Sequence, residues 1–284
     1  MNSNATPRTI YFVWHYTNWG GAQIFLLAIM KVARPEWDLK VILPADSAPD
    51  LIGFLERLGV PYEFIESSLD QSPAITVKDK VARQYRRIRT EYLSFRHLLR
   101  YDLRNNILHI EAAPWQSWIL LAAFSLRRAN VFLTLHNFLS DAPRWRTMVW
   151  EARMQFVSRM PGMHVIASNY DTKNRMRGWV SEKFWSDVTV ARTCVDPIEI
   201  EAAGIMSVEA RDILRAENSI SPGEIVVLAV GQFVDRKGRW VFLEAAKIVR
   251  KERDDFKFVW LTPELPNEDD LKCIESFSLG DSFQ

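Results

Sequence analysis

Cysteine is almost missing from this sequence. Two residues, Cys194 and Cys273, stand far apart without metal-ligand spacing, which argues against a disulfide framework and fits a reducing compartment. Long apolar runs are missing as well: the longest, Trp118–Phe124, is too short to cross a bilayer. The opening residues, Met1–Arg8, lack the apolar centre of a signal peptide. A cytoplasmic protein is expected. Neither charge sign dominates, since 36 Lys and Arg face 35 Asp and Glu for a formal net charge of +1. No global field draws the chain to nucleic acid, and no recognised nucleic-acid module is present. Carboxylate clusters are lacking too, so no metal is expected.

What is present is an ordinary globular composition and a regular alternation. With 48% hydrophobic and 25% charged residues, the 284-residue chain can bury sizeable cores in about two domains. Short apolar runs at residues 9–14, 39–43, 62–65, 107–110, 131–135 and 164–167 read as strands. Segments of helical length and period lie between them, such as Ala22–Val32 and Leu51–Leu58. The alternation predicts βαβ units and a parallel sheet covered on both faces. A weak strand at 188–190 leads to a domain boundary, giving domains of residues 1–198 and 199–284. The second holds a helix near 208–216, strands at 224–230 and 256–261, a helix between them and a polar tail, 263–284. Doubly wound sheets have about five or six strands, so the second domain reads as incomplete and the chain as truncated.

The sharpest local signal is Gly231-Gln232-Phe233-Val234-Asp235-Arg236-Lys237-Gly238. The buried-strand pattern before it and the helical pattern after it, with Val241, Ala245, Ile248 and Val249 on one face, make it a strand-to-helix loop. Such loops bind ligands in open α/β sheets. The helix amino terminus offers free N–H groups and a positive dipole end to a phosphate. Arg236 adds a fork and Lys237 a point charge, so a diphosphate is the expected guest. A second glycine-bearing loop, Trp14 to Gln23, contains Gly20-Gly21 at the entry to the first helix. It lacks the G-x-G-x-x-G dinucleotide fingerprint. His136-Asn137 follows the strand 131–135, and His109 ends the strand before it. Ser168-Asn169 reads as a helix cap.

Taken together, these stretches resemble the family 4 glycosyltransferases. The resemblance rests on G-x-F-x-x-R-K-G, on Gly20-Gly21-Ala22-Gln23 where the family has Gly-Gly-Ala-Glu, and on Thr134-Leu135-His136-Asn137 where it has T-x-H-[DE]. Val195-Asp196 matches the end of its Asn-Gly-Val-Asp. Gln232 stands where Arg is usual. The resemblance implies an α/β protein of two facing Rossmann-like domains (the GT-B fold), the second incomplete here. It implies a retaining, hexosyl-transferring enzyme that takes a nucleotide sugar and needs no cofactor or metal. Arg236, Lys237, Gly20 and Gly21 would hold the donor diphosphate, within the loop framed by Gly231, Gln232 and Gly238. His136 would be catalytic, with Gln23 and Asn137 on the acceptor side. The family's paired glutamates, E-x7-E, do not occur after Lys237 in a strand-loop-helix setting. The alternative is therefore an inactive remnant that binds a sugar nucleotide, a membrane or a partner. A sugar-nucleotide epimerase shares the architecture.

One further stretch, Lys78–Arg104, repeats apolar residues (Val81, Tyr85, Ile88, Tyr92, Phe95, Leu99, Leu103) at steps of three and four. Arginines 83, 86, 87, 89, 96, 100 and 104 occupy the rest. A second basic and aromatic stretch spans Arg144–Arg159. The expectation is that the apolar faces pack on the sheet. The other reading is peripheral contact with an anionic membrane that presents a lipid-linked acceptor.

Overall fold

The strands that the apolar runs predict form one parallel sheet in the computed structural model. It describes residues 8–14, 21–67, 76–137, 143–192, 201, 204, 210–262 and 266–284. The chain divides into two compact units, residues 1–196 and 197–284.

In the first unit the elements alternate. They are β1 (Thr9–Trp14), α1 (Gly21–Ala33), β2 (Asp38–Pro44), α2 (Pro49–Leu58), β3 (Tyr62–Ile65), α3 (Val77–Leu98) and β4 (Ile107–Glu111). Then follow α4 (Trp118–Leu126), β5 (Asn130–Leu135), α5 (Arg144–Ser158), β6 (Met163–Ala167), α6 (Tyr170–Arg175), α7 (Glu182–Asp187) and β7 (Thr189–Val190). The strand order is β3-β2-β1-β4-β5-β6-β7. Every pairing is parallel.

Side chains alternate across each strand, so the sheet feeds two cores. Ile10, Phe12 and Trp14 of β1 join Val41 and Leu43 of β2 under α1 and α2, against Phe25, Leu26, Met30, Leu51 and Leu55. Val13, Ile110, Val131 and Leu133 face the other way, toward Leu98, Phe124, Met154 and Val157 of α3, α4 and α5. Both faces are covered, as a parallel sheet requires.

Helix α3 corrects a sequence expectation. It starts in a capping box, where the Thr76 hydroxyl accepts from Asp79 N–H and the Asp79 carboxylate accepts from Thr76 N–H. It buries Thr90, Glu91, Ser94 and Leu98, not the apolar stripe. Val81, Tyr85, Ile88 and Tyr92 are 52 to 68% exposed, while Phe95 packs against the core from the margin. The cause is local. Thr90 and Ser94 are small enough to bring the helix close, Leu98 fills the core, and Glu91 accepts a hydrogen bond from the Ser117 hydroxyl at 2.7 Å. The helix also stops at Leu98, and Leu103 is buried beyond it.

The second unit holds α8 (residues 210–217), β8 (Ile225–Val230), α9 (Arg239–Arg250), β9 (Phe256–Leu261) and α10 (Glu268–Ser276). β8 and β9 pair in parallel. Here too the buried face differs from the expected one: α9 buries Leu243 and Ala246, whereas Val241, Ala245 and Ile248 are exposed. Phe233, Phe258 and Trp260 form the core that Leu243 completes. From residue 266 on, the polar tail is structured: Asn267 caps α10 by accepting from Asp270 N–H, and three acids in its first turn suit the helix dipole. Leu279 is buried after it. Among the described residues no helix is long and apolar enough to cross a membrane.

Candidate functional site

In the first unit, β1 and β4 are neighbours from which the strand order runs in opposite directions. The crevice beyond their carboxyl ends is the ligand position of open α/β sheets. Trp14 ends β1 in register with Glu111, which ends β4. Two-residue alternation sets His109 and Glu111 on the same face as Phe12 and Trp14. Glu111 is only 2% exposed. Burial raises its pKa above the usual carboxylate range, and its bond to His136 opposes that shift.

His136 follows β5 directly. Its Nε2 lies 3.2 Å from Glu111 Oε1, and its ring meets Phe25 of α1 edge-on at 5.4 Å. The backbone is held as well, since the Ser168 hydroxyl donates to the His136 carbonyl at 2.9 Å. Asn169, not Ser168, caps α6 by accepting from Thr172 N–H. A buried carboxylate on one ring nitrogen fixes the orientation of the imidazole. The side chain remains 21% exposed, so a bound molecule can reach it. Deeper on the same face, His109 Nε2 lies 2.9 Å from Thr134 Oγ1. Complete burial pushes His109 down to about 3, which marks a neutral core histidine.

The other sequence candidates in this unit differ in setting. Gly21 opens α1 and Gln23 is buried on it. Asn137 is exposed. Gly20, Cys194, Val195 and Asp196 lie outside the described residues.

In the second unit, β8 delivers a fixed loop. Gly231 has φ 140° and Gly238 has φ 78°, backbone that a side chain at either position would strain. Asp235–Lys237 form one 3₁₀ turn, and Gly238 starts α9. Phe233 anchors the loop between Trp240 and Trp260, with ring centroids 5.7 and 5.3 Å away. Arg239 clamps it by donating to the Phe233 carbonyl at 2.9 Å, Asp235 at 2.9 Å and Asp270 at 2.6 Å.

The clamp leaves Arg236 and Lys237 exposed at the amino end of α9. Arg236 Nη2 donates to Gln232 Oε1 at 2.9 Å. The Lys237 stem passes over Gly231, 3.7 Å from the place a Cβ would take. Among the described residues neither cation joins an ion pair. Two cations thus stand beside the first N–H groups of a twelve-residue helix, an arrangement of the kind that suits an anion.

No protein-family model and no curated protein matches this sequence. Solved structures do match in fold. A glycosyltransferase from Rickettsia africae is 14% identical, with a TM-score of 0.69 over 99% of this chain and 68% of that one. HepE from Anabaena, in complex with UDP and glucose, is 16% identical with a TM-score of 0.66, over 97% and 68%. The UDP-GlcNAc 2-epimerase of Neisseria meningitidis, bound to UDP-GlcNAc, is 13% identical with a TM-score of 0.56, over 97% and 71%. The fold is Rossmann-like α/β and matches the GT-B proteins. That agrees with the fold class expected from the sequence.

Within this GT-B-like fold, sequence reasoning missed Glu111, Arg239 and Asp270. Glu111 carried one readable sign, an acid closing an otherwise apolar central strand. Arg239 and Asp270 are 31 residues apart, and no local pattern joins them.

Proposed function

We propose that this protein transfers a sugar from a nucleoside-diphosphate sugar to an acceptor, as a retaining glycosyltransferase of the hexosyl type in polysaccharide, glycolipid or cell-envelope glycoconjugate synthesis. The observation that carries this reading is the fixed loop of the second unit, where Arg236 and Lys237 stand exposed over the amino end of α9. The structural likeness to HepE, which was solved with UDP and glucose, supports a nucleotide sugar as the guest.

In this reading the bond from the sugar to the diphosphate breaks, and negative charge gathers on the departing oxygen. Arg236, Lys237 and the helix N–H groups are already in place to receive it, so little reorganisation opposes the step. His136, oriented by Glu111, would hydrogen-bond a hydroxyl of the acceptor or the donor sugar, with Gln23 and Asn137 serving the acceptor and Gly20 and Gly21 helping to hold the donor diphosphate. The exposed apolar stripe and arginines of α3 suit a peripheral surface contact that brings in a lipid-linked acceptor.

Replacing Arg236 and Lys237 together by Ala removes two charge-assisted contacts, worth about 1.5–3 kcal/mol each. UDP affinity measured by calorimetry is expected to fall by roughly 100-fold or more. Unchanged affinity would refute the assignment. The epimerase likeness supports a second reading, separated by incubating a nucleotide sugar without acceptor and looking for an isomerised product. Nucleotide binding with neither transfer nor isomerisation would point to a binding module.

A further inference from the structure

Two arginines from separate helices converge on the loop that leaves β4. Arg87 of α3 donates from Nη1 to Gln116 Oε1 at 3.0 Å and from Nη2 to the Gln116 carbonyl at 3.4 Å. Arg153 of α5 donates from Nη1 to the adjacent Trp115 carbonyl at 3.4 Å, and its guanidinium lies 5.8 Å over the Trp118 ring. Bonding to consecutive residues brings the two like charges close together.

Glu91 is the carboxylate beside them, with Oε1 3.6 Å from Arg87 Nε. It is buried and already accepts the Ser117 hydroxyl at 2.7 Å. Burial raises its pKa, which weakens its hold on a full negative charge. Burial likewise lowers Arg87, and the charge of Arg153 adds to that lowering. The group is thus two cations against one disfavoured anion in a half-desolvated place, a combination that is costly unless another anion joins.

The place is reachable. The Arg87 side chain is 27% exposed, Arg153 is partly exposed and Gln116 is exposed. Each guanidinium holds five donors, so both forks keep N–H groups for a ligand. The loop starts directly after Glu111, at the carboxyl end of β4.

We propose that Arg87 and Arg153, meeting at the 115–116 loop, form a binding site for a phosphate monoester. Two forks arriving from different helices match the three terminal oxygens and double charge of that group better than a single planar carboxylate. The inference rests on the transferase reading and deepens it by giving the acceptor a phosphate. That phosphate can be a lipid headgroup, since the exposed stripe runs along α3, or part of a soluble molecule.

The test is calorimetric titration of inorganic phosphate into the full chain carrying R236A and K237A, which removes the other anion loop. Binding is expected there, and adding R87Q and R153Q should weaken it by at least about tenfold, a loss of one charge-assisted hydrogen bond or more. No binding in the first protein, or equal binding in the second, overturns the proposal whatever the donor loop does. Circular dichroism checks folding. Should the glutamine pair unfold, R87K with R153K keeps both charges without the forks, and must show the same weakening. A vesicle arm names the source. Stronger sedimentation of the unsubstituted protein with phosphatidic acid than with phosphatidylglycerol, lost in R87Q/R153Q, means a lipid phosphate. Phosphate binding without that preference means a soluble one.

Discussion

At the scale of single residues, acid sensitivity is written into His109 and Glu63. His109 is buried and neutral, with its pKa pushed from 6.5 to about 3 by loss of water. The unfolded chain takes up a proton below pH 6.5 and the folded one does not, so this contribution is full above 6.5 and is lost as pH falls toward 3. Glu63 behaves differently. Lys40, Tyr101 and His97 hold its carboxylate, Lys40 most strongly, and lower it from 4.5 to about 2. Its contribution is present above pH 4.5 and disappears as pH falls through 2. Buried Glu111 works against both, because its raised pKa favours the folded state at low pH. Near pH 5 one proton separates the folded and unfolded forms of His109, a slope of about 1.4 kcal/mol per pH unit. The H109Q variant should lose that slope between pH 6.5 and 4.5 in urea unfolding, while E63Q should lower the curve evenly above 4.5 and change its slope only below 4.5. An H109Q slope equal to that of the unsubstituted protein would contradict the burial argument.

At the scale of elements, α3 and α9 show what periodicity can and cannot reveal. The spacing of Val81, Tyr85, Ile88 and Tyr92 announces a helix with an apolar face, and the helix is there. Which face meets the sheet depends on partners distant in sequence, such as Ser117 for Glu91, and no window of the sequence contains both. α9 fails for the same reason, because Leu243 and Ala246 were chosen by Phe258 and Trp260 rather than by the fullest stripe. The loop from Gly231 to Gly238 was legible, since glycines at positive φ, an anchoring Phe and adjacent cations all lie within eight residues. Its clamp, Arg239 to Asp270, was not. The α3 finding can be measured directly. L98A empties a core position and should cost about 2–5 kcal/mol, whereas I88E and Y92E together should stay within about 0.5 kcal/mol each of the unsubstituted stability. If the stripe meets membranes, the same pair should abolish sedimentation with anionic vesicles. A large stability loss in I88E/Y92E would mean that the stripe is covered in solution.

At the scale of the molecule, the two units differ in what holds each together. The first closes a seven-stranded sheet between two cores, one under α1 and α2 and one under α3 to α5. Residues from every central strand contribute, so removing one contact leaves many. The second unit has a two-stranded sheet and one small cluster around Phe233, Leu243, Phe258 and Trp260, while Leu228, Val230 and Leu261 stay exposed. Two strands with one helix layer are marginal in water, because little apolar surface offsets the entropy of ordering the chain. A fragment of residues 1–192 is therefore expected to unfold cooperatively in urea. Its m-value should reflect a full domain's surface, as that slope scales with the area exposed on unfolding. Residues 210–284 made alone should show weak near-ultraviolet dichroism and no cooperative transition. A sharp transition in that fragment would mean that the aromatic cluster around Phe233 is sufficient by itself. The loop from Gly231 to Gly238 would then rest on an autonomous scaffold, and the proposed nucleotide binding could be measured on the fragment.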